Sequence, residues 1–234
     1  MQQLCAIILY VVLYILYLVN IWGMKMKGTK NVKSGENAEI TAFARKHRLT
    51  VREFGRSEAM IGESDSHDIL WLMLSGSAYL AGIKENGKRG IVDFFMAGDI
   101  TGRYMFPVTA KNSYFYIASS GHCKTACIGF DKLLKLRESG DKTAEKLVRT
   151  ALLQASERAC THTYILQQRT TEDKLTAFFE YMSVRNGSDS FELPMSYTNL
   201  ADYLAVDRSA MMRELKRLKD SGVISADKLK INIL

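Results

Sequence analysis

Two arginines and a serine near the C-terminus have the types and spacing needed to read hydrogen-bond acceptors. Arg208, Ser209 and Arg213 fall on or beside one side of a helix at about 100° per residue. An arginine can donate two parallel hydrogen bonds to the O6 and N7 acceptors of guanine in the major groove of DNA. Lysines and arginines further along the helix suit backbone phosphates, which fix register without carrying sequence information. The residues in this second group are Lys216, Arg217 and Lys219.

The surrounding stretch predicts the two helices of a helix-turn-helix. Ser196 can cap a first helix that ends at Tyr203 or Leu204, and a tight turn follows. Asp207 can cap a second helix that runs to about Asp220, where Gly222 supplies the stop. The second helix has an apolar side formed by Met211, Leu215 and Leu218. The terminal segment alternates about Asp227-Lys228, which predicts a wing hairpin. A solvated surface remains the alternative for the basic side.

Two further elements precede the helix pair. Short apolar runs between about Thr50 and Phe130 predict an antiparallel barrel or sandwich, with a type I′ hairpin at Asn86-Gly87. Helical periodicity then extends from Asp141 to Gln168, and an apolar seam recurs along it at alternating spacings of four and three. The seam consists of Val148, Leu152, Ala155, Ala159, His162 and Leu166. It predicts a dimer axis, although packing of the helix on its own domain is the alternative. Thr170 with Asp173 predicts a new helix start after this seam, and Asn186-Gly187 its end.

The N-terminus raises a separate question. The run from Leu4 to Trp22 is long enough to cross a hydrocarbon core of about 30 Å. Lysines follow the run and none precedes it, so an anchor would leave the body of the chain in the cytoplasm. A gene start placed too early, with Met24 or Met26 as the true first residue, explains the run equally well. In either case we expect a cytoplasmic body, and a membrane partner only if residues 1–23 are genuine.

Composition excludes several classes of protein. The 234 residues suffice for two modest domains, and an apolar fraction of 47% is typical of globular chains. Four scattered cysteines do not make a disulfide framework. The net charge of +7 suits a polyanion, but acidic residues slightly outnumber basic ones after Thr171. A DNA-binding surface in that region must therefore be a local basic face.

The stretch LADYLAVDRSAMMRELKRLKDSGVI resembles the DNA-binding helix pair of the Crp/Fnr family of bacterial regulators. LMLSGSAYL, the ENGKR hairpin, AGDITG and KTACIGF resemble parts of that family's β-roll, so the likeness covers about Ala42 to Leu234. It implies an α+β fold with a jelly-roll-like antiparallel β-roll sensor, a long dimerisation helix and a C-terminal winged helix-turn-helix. The boundaries are a hydrophobic segment at 1–23, a polar lead-in at 24–41, the β-roll at 42–138, the dimerisation helix at 139–169 and the DNA-binding domain at 170–234.

The resemblance also implies partners and site residues. It implies a non-enzymatic transcription regulator that binds a two-fold symmetric duplex as a homodimer, and it leaves RNA polymerase open as a further partner. The two base-reading arginines and the polar residue of the family correspond to Arg208, Arg213 and Ser209, and Met212 could touch a thymine methyl. Because the middle position is often Glu in the family, Ser209 leaves the half-site preference open. The full candidate DNA-binding set is Arg208, Ser209, Met212, Arg213, Lys216, Arg217, Ser196 and Thr198.

The effector pocket departs from the family's pattern. Cyclic-nucleotide binders carry a Gly-Glu pair and later an Arg-Ser or Arg-Thr pair, where this chain has Gly102-Arg103 and Asn112-Ser113. We therefore expect no cyclic AMP binding in the usual way, and the effector is left unidentified. The candidate pocket residues are Gly98, Gly102, Arg103, Asn112 and Ser113.

Metal, haem and enzymatic functions are weaker alternatives. Cys123 and Cys127 share a strand face but lie about 13 Å apart, too far for one ion, and a cupin-like enzyme would need more histidines than His67 and His122. We expect no metal and no cofactor. Two further hypotheses stay open: Cys160 as an oxidant-sensitive thiol near the dimer mate, and a membrane-anchored module whose helix-turn-helix binds protein.

Overall fold

Alternating apolar side chains produce two antiparallel sheets that face each other. The structure is a computed structural model that describes residues 37–62, 64–107 and 113–234. The strands are β1 (Thr50–Phe54), β2 (Ala59–Ile61), β3 (Ile69–Ser75), β4 (Ser77–Lys84), β5 (Arg89–Met96), β6 (Ile100–Thr101), β7 (Ser113–Ser119) and β8 (Cys123–Gly129). The first sheet has the order β1-β8-β3-β6 and the second β2-β7-β4-β5. This arrangement confirms the antiparallel β-roll that the strand pattern predicted.

The hairpin between β4 and β5 lies where Asn86-Gly87 predicted it, but its turn is of a different kind. A type I′ turn needs positive φ at both central residues. Only Gly87 has positive φ here, at 74°, and Asn86 does not. The loop has four residues between the strands, and the Asn86 side chain accepts a hydrogen bond from the Lys88 backbone at 3.0 Å. The hydrogen bond to the Asn86 side chain stabilises this four-residue loop, so a two-residue type I′ turn is not needed.

Helices cover the outer face of the first sheet. Three helices pack there around Leu72 and Ile128. They are α1 (Ala38–Lys46), α2 (Phe130–Glu138) and the start of the long helix α3 (Lys142–Gln167). Helix α1 begins inside the predicted polar lead-in, because Asn37 accepts a hydrogen bond from the Ile40 backbone and caps it. The lead-in therefore ends before residue 38, not at 41.

The C-terminal domain packs on the outer face of the second sheet. It contains α4 (Thr171–Asn186), β9 (Ser190–Glu192), α5 (Tyr197–Leu204), α6 (Arg208–Asp220), β10 (Ile224–Asp227) and β11 (Lys230–Ile233). Phe94 of β5 is fully buried at this junction, and Phe178, Tyr181 and Tyr203 surround it with ring centroids 5.4–6.2 Å away. The predicted caps are present, since Thr170 accepts from the Asp173 backbone and Gly187 ends α4 in the left-handed conformation. The β10-β11 hairpin is the predicted wing, and β9 extends it by a third strand.

The predicted dimer seam is wrong in part, because α3 carries two apolar faces and the seam falls between them. Val148 packs into the core beside α1 and α2, and His162 stacks on Tyr203 of the same chain. Leu152, in contrast, is 70% exposed. The face that packs on the molecule consists of Ala144, Leu147, Ala151, Arg158 and Ile165. The exposed face runs through Leu152, Leu153, Ser156, Ala159, Cys160, Thr163, Tyr164 and Leu166.

The N-terminal hydrophobic run lies outside the described residues, as does the rest of the chain before Asn37. Within the ranges that the structure describes, no helix combines the length and apolar character needed to span a membrane.

Candidate nucleic-acid interface

Side-chain caps and a left-handed turn residue fix the geometry of the helix pair. Ser196 accepts from the Asn199 backbone and starts α5, and Asp207 accepts from the Ala210 backbone and starts α6. Ala205 between the helices adopts φ 51° and ψ 48°. Lys174 of α4 donates to the Leu204 carbonyl at 3.1 Å and so satisfies the C-terminal end of α5. Both helix limits agree with the sequence prediction.

Helix α6 divides into a buried side and a basic side, as the sequence indicated. Met211, Leu215 and Leu218 are buried in the domain core. The exposed residues on the remaining surface are Arg208, Ser209, Arg213, Lys216, Arg217, Lys219 and, at the C-terminal end, Asp220. Met212 is partly buried against the core, which leaves it less available to a thymine methyl than an exposed residue would be.

The Ser209 side chain is hydrogen-bonded to the residue that caps α6, which the sequence did not indicate. Its hydroxyl donates to Oδ1 of Asp207, and this hydrogen bond lowers the pKa of the Asp207 carboxyl. A hydroxyl that has donated its proton still carries acceptor lone pairs. In this rotamer Ser209 can therefore accept from the amino group of adenine or cytosine but has no free proton for guanine.

Arg217 is exposed but forms ion pairs with two acidic residues. Its guanidinium lies 2.8 Å from a carboxylate oxygen of Glu214 and 3.8 Å from one of Glu172 on α4. Helical spacing predicted Arg217 among the phosphate contacts, but these two acids orient it toward α4. Lys216 and Lys219 are the exposed cations that remain on this part of α6.

A groove between α6 and the wing adds a cation that the sequence analysis did not single out. Lys216, Lys219 and Lys228 all line this groove of about 470 Å³. The Tyr197 hydroxyl donates to the Lys228 carbonyl at 2.6 Å and ties the wing tip to the start of α5. Lys228 adopts φ 50°, consistent with the turn predicted at Asp227-Lys228. The alternation of the wing residues locates Lys228 at a turn, but only the fold brings it beside α6.

The remaining candidates at the start of α5 differ in exposure. Ser196 is half-buried and its side chain serves the cap, whereas Thr198 is exposed. Thr198 lines a second groove together with Arg208, so the N-terminal ends of the two helices open on the same side.

The candidate effector residues do not gather around one described cavity. Gly98 lines a groove between the roll, α3 and α4, while Arg103 donates to the Asp65 carbonyl at 2.8 Å. Asn112 lies outside the described residues, as does the side chain of Ser113. The space between the two sheets is packed with apolar side chains, including Phe95 and Phe115.

The buried guanidinium beside this interior is already paired. Arg158 of α3 is 3% exposed and donates to Asp93 at 2.9 Å, and its Nη1 lies 3.8 Å from a carboxylate oxygen of Asp99. Burial raises the pKa of Asp93, although the charge of Arg158 opposes the shift. Arg185 of α4 pairs with Asp99 in turn. These ions join the roll, the long helix and the C-terminal domain, so Arg158 has its counter-ions without an anionic ligand.

The cysteines and histidines give no metal site among the described residues. Burial raises the pKa values of Cys123 and Cys127 to about 11, which favours the neutral thiols over metal-binding thiolates. His122 bonds the Phe54 carbonyl at 3.1 Å. Cys160 is exposed on α3, and its proposed response to oxidant stays a prediction.

Comparison with known proteins agrees with this geometry. Residues 173–234 match the family model of the Crp-like helix-turn-helix domain. The nitrogen fixation regulation protein FixK of Bradyrhizobium diazoefficiens is 26% identical over 80% of this chain and 78% of its own length. The transcriptional activator protein FnrL of Cereibacter sphaeroides is 22% identical over 75% and 73%.

Solved structures show the same fold at lower identity. FixK2 from Bradyrhizobium japonicum superposes with a TM-score of 0.65 at 19% identity, over 79% of this chain and 92% of that one. A cyclic nucleotide-binding domain containing protein from Listeria monocytogenes gives a TM-score of 0.66 at 14% identity, over 83% and 95%. Both superpositions extend well beyond the helix-turn-helix into the roll.

Proposed function

Because this chain is a member of the Crp/Fnr family of DNA-binding transcription regulators, we propose that two copies pair through α3 and bind a two-fold symmetric operator with α6 in the major groove. One observation carries the proposal: α6 buries Met211, Leu215 and Leu218 and leaves Arg208 and Arg213 exposed. An exposed guanidinium on a helix with a rigid cap is suited to the paired acceptors of guanine. Lys216, Lys219 and Lys228 flank it as phosphate contacts.

The exposed face of α3 supports the pairing. Leu152 is 70% exposed and Leu153 52%, and Tyr164 and Leu166 continue the apolar surface. Between them lie Ser156, Ala159 and Thr163, which are small enough to let a second helix approach closely. Large apolar side chains exposed on one face of a helix typically mark a protein interface. A second α3 would cover them and place two α6 helices in one symmetric assembly.

An effector other than cyclic AMP, or none, fits the roll best. Arg103 stands where the family's ribose-binding acid is expected and is held by the Asp65 carbonyl. Asp93 and Asp99 are the counter-ions of Arg158, although its Nη1 makes no hydrogen bond, and aromatic rings fill the space between the sheets. The alternative of a membrane-anchored interaction module depends on residues outside the described ranges, and the basic side of α6 argues against it.

Substitution of Arg213 tests the DNA-reading assignment. Arg213→Ala should weaken binding to a selected operator duplex by about 1–3 kcal/mol and relax the preference at one base pair of each half-site. Fluorescence anisotropy at fixed salt measures the affinity, with the operator and its single-base variants as ligands.

Arg137→Ala is the matched control. Arg137 is an exposed arginine on α2, which packs against the first sheet, while the C-terminal domain lies on the second. We expect the Arg137 variant to bind as the parent does. Equal binding by the Arg213 variant and the parent would show that α6 does not read the operator at this residue.

A further inference from the structure

The groove that Thr198 and Arg208 line lies between the roll and the helix pair, and the proposed function uses only Arg208 among its lining residues. Three residues of the β4-β5 hairpin, Lys88–Gly90, form one wall. The other wall belongs to α5, the turn and the start of α6. We call this space of about 620 Å³ the hairpin cleft. Its lining from the helix pair includes Thr198, Asp202, Val206, Asp207 and Arg208.

Arg89 fixes the hairpin against α5. Its guanidinium donates to the Asp202 carboxylate at 2.6 and 3.0 Å and to the side-chain oxygen of Asn199 at 2.8 Å. It also lies 5.9 Å from the centre of the Tyr79 ring. A guanidinium held by three hydrogen bonds defines the position of the hairpin more closely than a flexible surface ion pair would. The position of Lys88, the next residue, is set as a consequence.

The charges left in the hairpin cleft favour an anion. Arg89 neutralises Asp202, and Asp207 is engaged in capping α6. Lys88 and Arg208 are both exposed, and among the described residues no carboxylate lies within 4.0 Å of either cation. The cleft therefore holds three cations, Lys88, Arg89 and Arg208, against the carboxylates of Asp202 and Asp207, which leaves a net charge of +1 beside the hydroxyl of Thr198. These groups suit a phosphate oxyanion.

The location of the cleft indicates which phosphate this is. Thr198 and Arg208 belong to the ends of α5 and α6 that approach the duplex in the proposed complex, so the cleft opens toward the DNA backbone. We propose that Lys88 of the sensor roll binds a DNA backbone phosphate beside the base pairs read by α6. This inference rests on the proposed function and extends it, because the DNA-binding surface then includes the sensor domain.

The salt dependence of binding tests this contact. Each lysine–phosphate contact adds about 0.9 to the slope of log affinity against log salt. Lys88→Gln should lower the slope by about one for each subunit and weaken operator and random duplex by the same factor. Lys135→Gln on α2 is the matched control, since it removes the same charge from the opposite side of the roll, and it should leave the slope unchanged.

The contact between Arg89 and α5 allows a second test of the inference. In an Arg89→Gln background the hairpin loses its hold on α5, so the added effect of Lys88→Gln should become smaller than in the parent. Circular dichroism and the unfolding midpoint of each full-length variant report whether it is folded. An Asp202→Asn background breaks the same link from the other side if Arg89→Gln does not fold.

Several outcomes would overturn the inference. An unchanged slope for Lys88→Gln, with Arg213→Ala still losing operator preference, would remove Lys88 from the interface and leave the proposed function standing. Stabilisation by inorganic phosphate that depends on Lys88, with no change in slope, would assign the cleft to a small phosphate ligand. A loss confined to the operator would make Lys88 a base contact.

Discussion

His162 connects the long helix to the DNA-binding domain. Its ring stacks on Tyr203 with centroids 3.9 Å apart and an interplanar angle of 10°. Its Nε2 lies 2.8 Å from the Tyr203 carbonyl oxygen near the end of α5. Burial lowers the pKa of His162, while the carboxylate of Asp93 opposes this shift and the ammonium of Lys174 reinforces it. The neutral imidazole is therefore the form that fits this junction.

Acidification should consequently weaken the junction. A histidine whose pKa is lowered by folding takes up protons more readily in the unfolded chain, so stability falls as pH drops below its ordinary pKa of 6.5. We expect the advantage of the parent over His162→Gln to be complete above that pH and to decrease below it. Urea unfolding of both proteins between pH 8 and 5 measures the difference, which cancels the other titrating groups. Parallel curves over this range would show that His162 does not titrate as described.

At the scale of single residues, the sequence predicted which side chains α6 exposes. It did not predict which of those side chains are held by hydrogen bonds or ion pairs to neighbouring residues. Side-chain type and helical spacing were sufficient to place Arg208 and Arg213 on the exposed side of α6. Spacing could not show that Ser209 donates to Asp207 or that Arg217 turns toward Glu172, because both depend on rotamers and on neighbouring elements. These two residues are the ones whose proposed roles change most.

Among the elements, the long helix α3 shows that an apolar repeat in the sequence can combine residues from two different faces of one helix. Apolar residues at heptad spacing predicted one seam, but α3 packs on the roll with one face and exposes another. When a helix has apolar residues on two faces, the sequence repeat predicts a single seam that lies between them. Leu152 and His162 were therefore predicted to share one interface, although only Leu152 is exposed. The caps and the left-handed stops of the helices depend on local chemistry, and these were predicted correctly at Asp207 and Gly187.

A charge on the exposed face of α3 should separate the proposed dimer. Leu152→Glu should convert the dimer to a folded monomer, because the side chain makes little contact within its own chain and would face its counterpart across the axis. Sedimentation velocity measures the mass, and circular dichroism checks the fold. Val184→Glu is the control, since Val184 is 64% exposed on α4 and should leave the dimer intact. If Leu152→Glu sediments as the parent does, α3 is not the pairing surface.

On the scale of the whole molecule, the DNA-binding domain and the sensor roll are built as one unit. Phe94 inserts between rings of α4 and α5, Arg185 pairs with Asp99, and Arg89 holds Asp202. The sequence predicted each domain but not this docking, because the contacts join residues that are far apart in the chain. The run IVDFFMAG carried a signal, since a strand with apolar residues on both faces is buried from both sides.

The most direct test of the central claim is selection of bound duplexes from a random DNA pool by the full-length protein. We predict that the parent enriches a two-fold symmetric sequence whose half-sites lie about one helical turn apart. Arg213→Ala should enrich the same sequence with the preference lost at one symmetric pair of positions. Enrichment of no sequence by the parent at any salt concentration, or an identical consensus from the variant, would contradict the claim that α6 reads DNA.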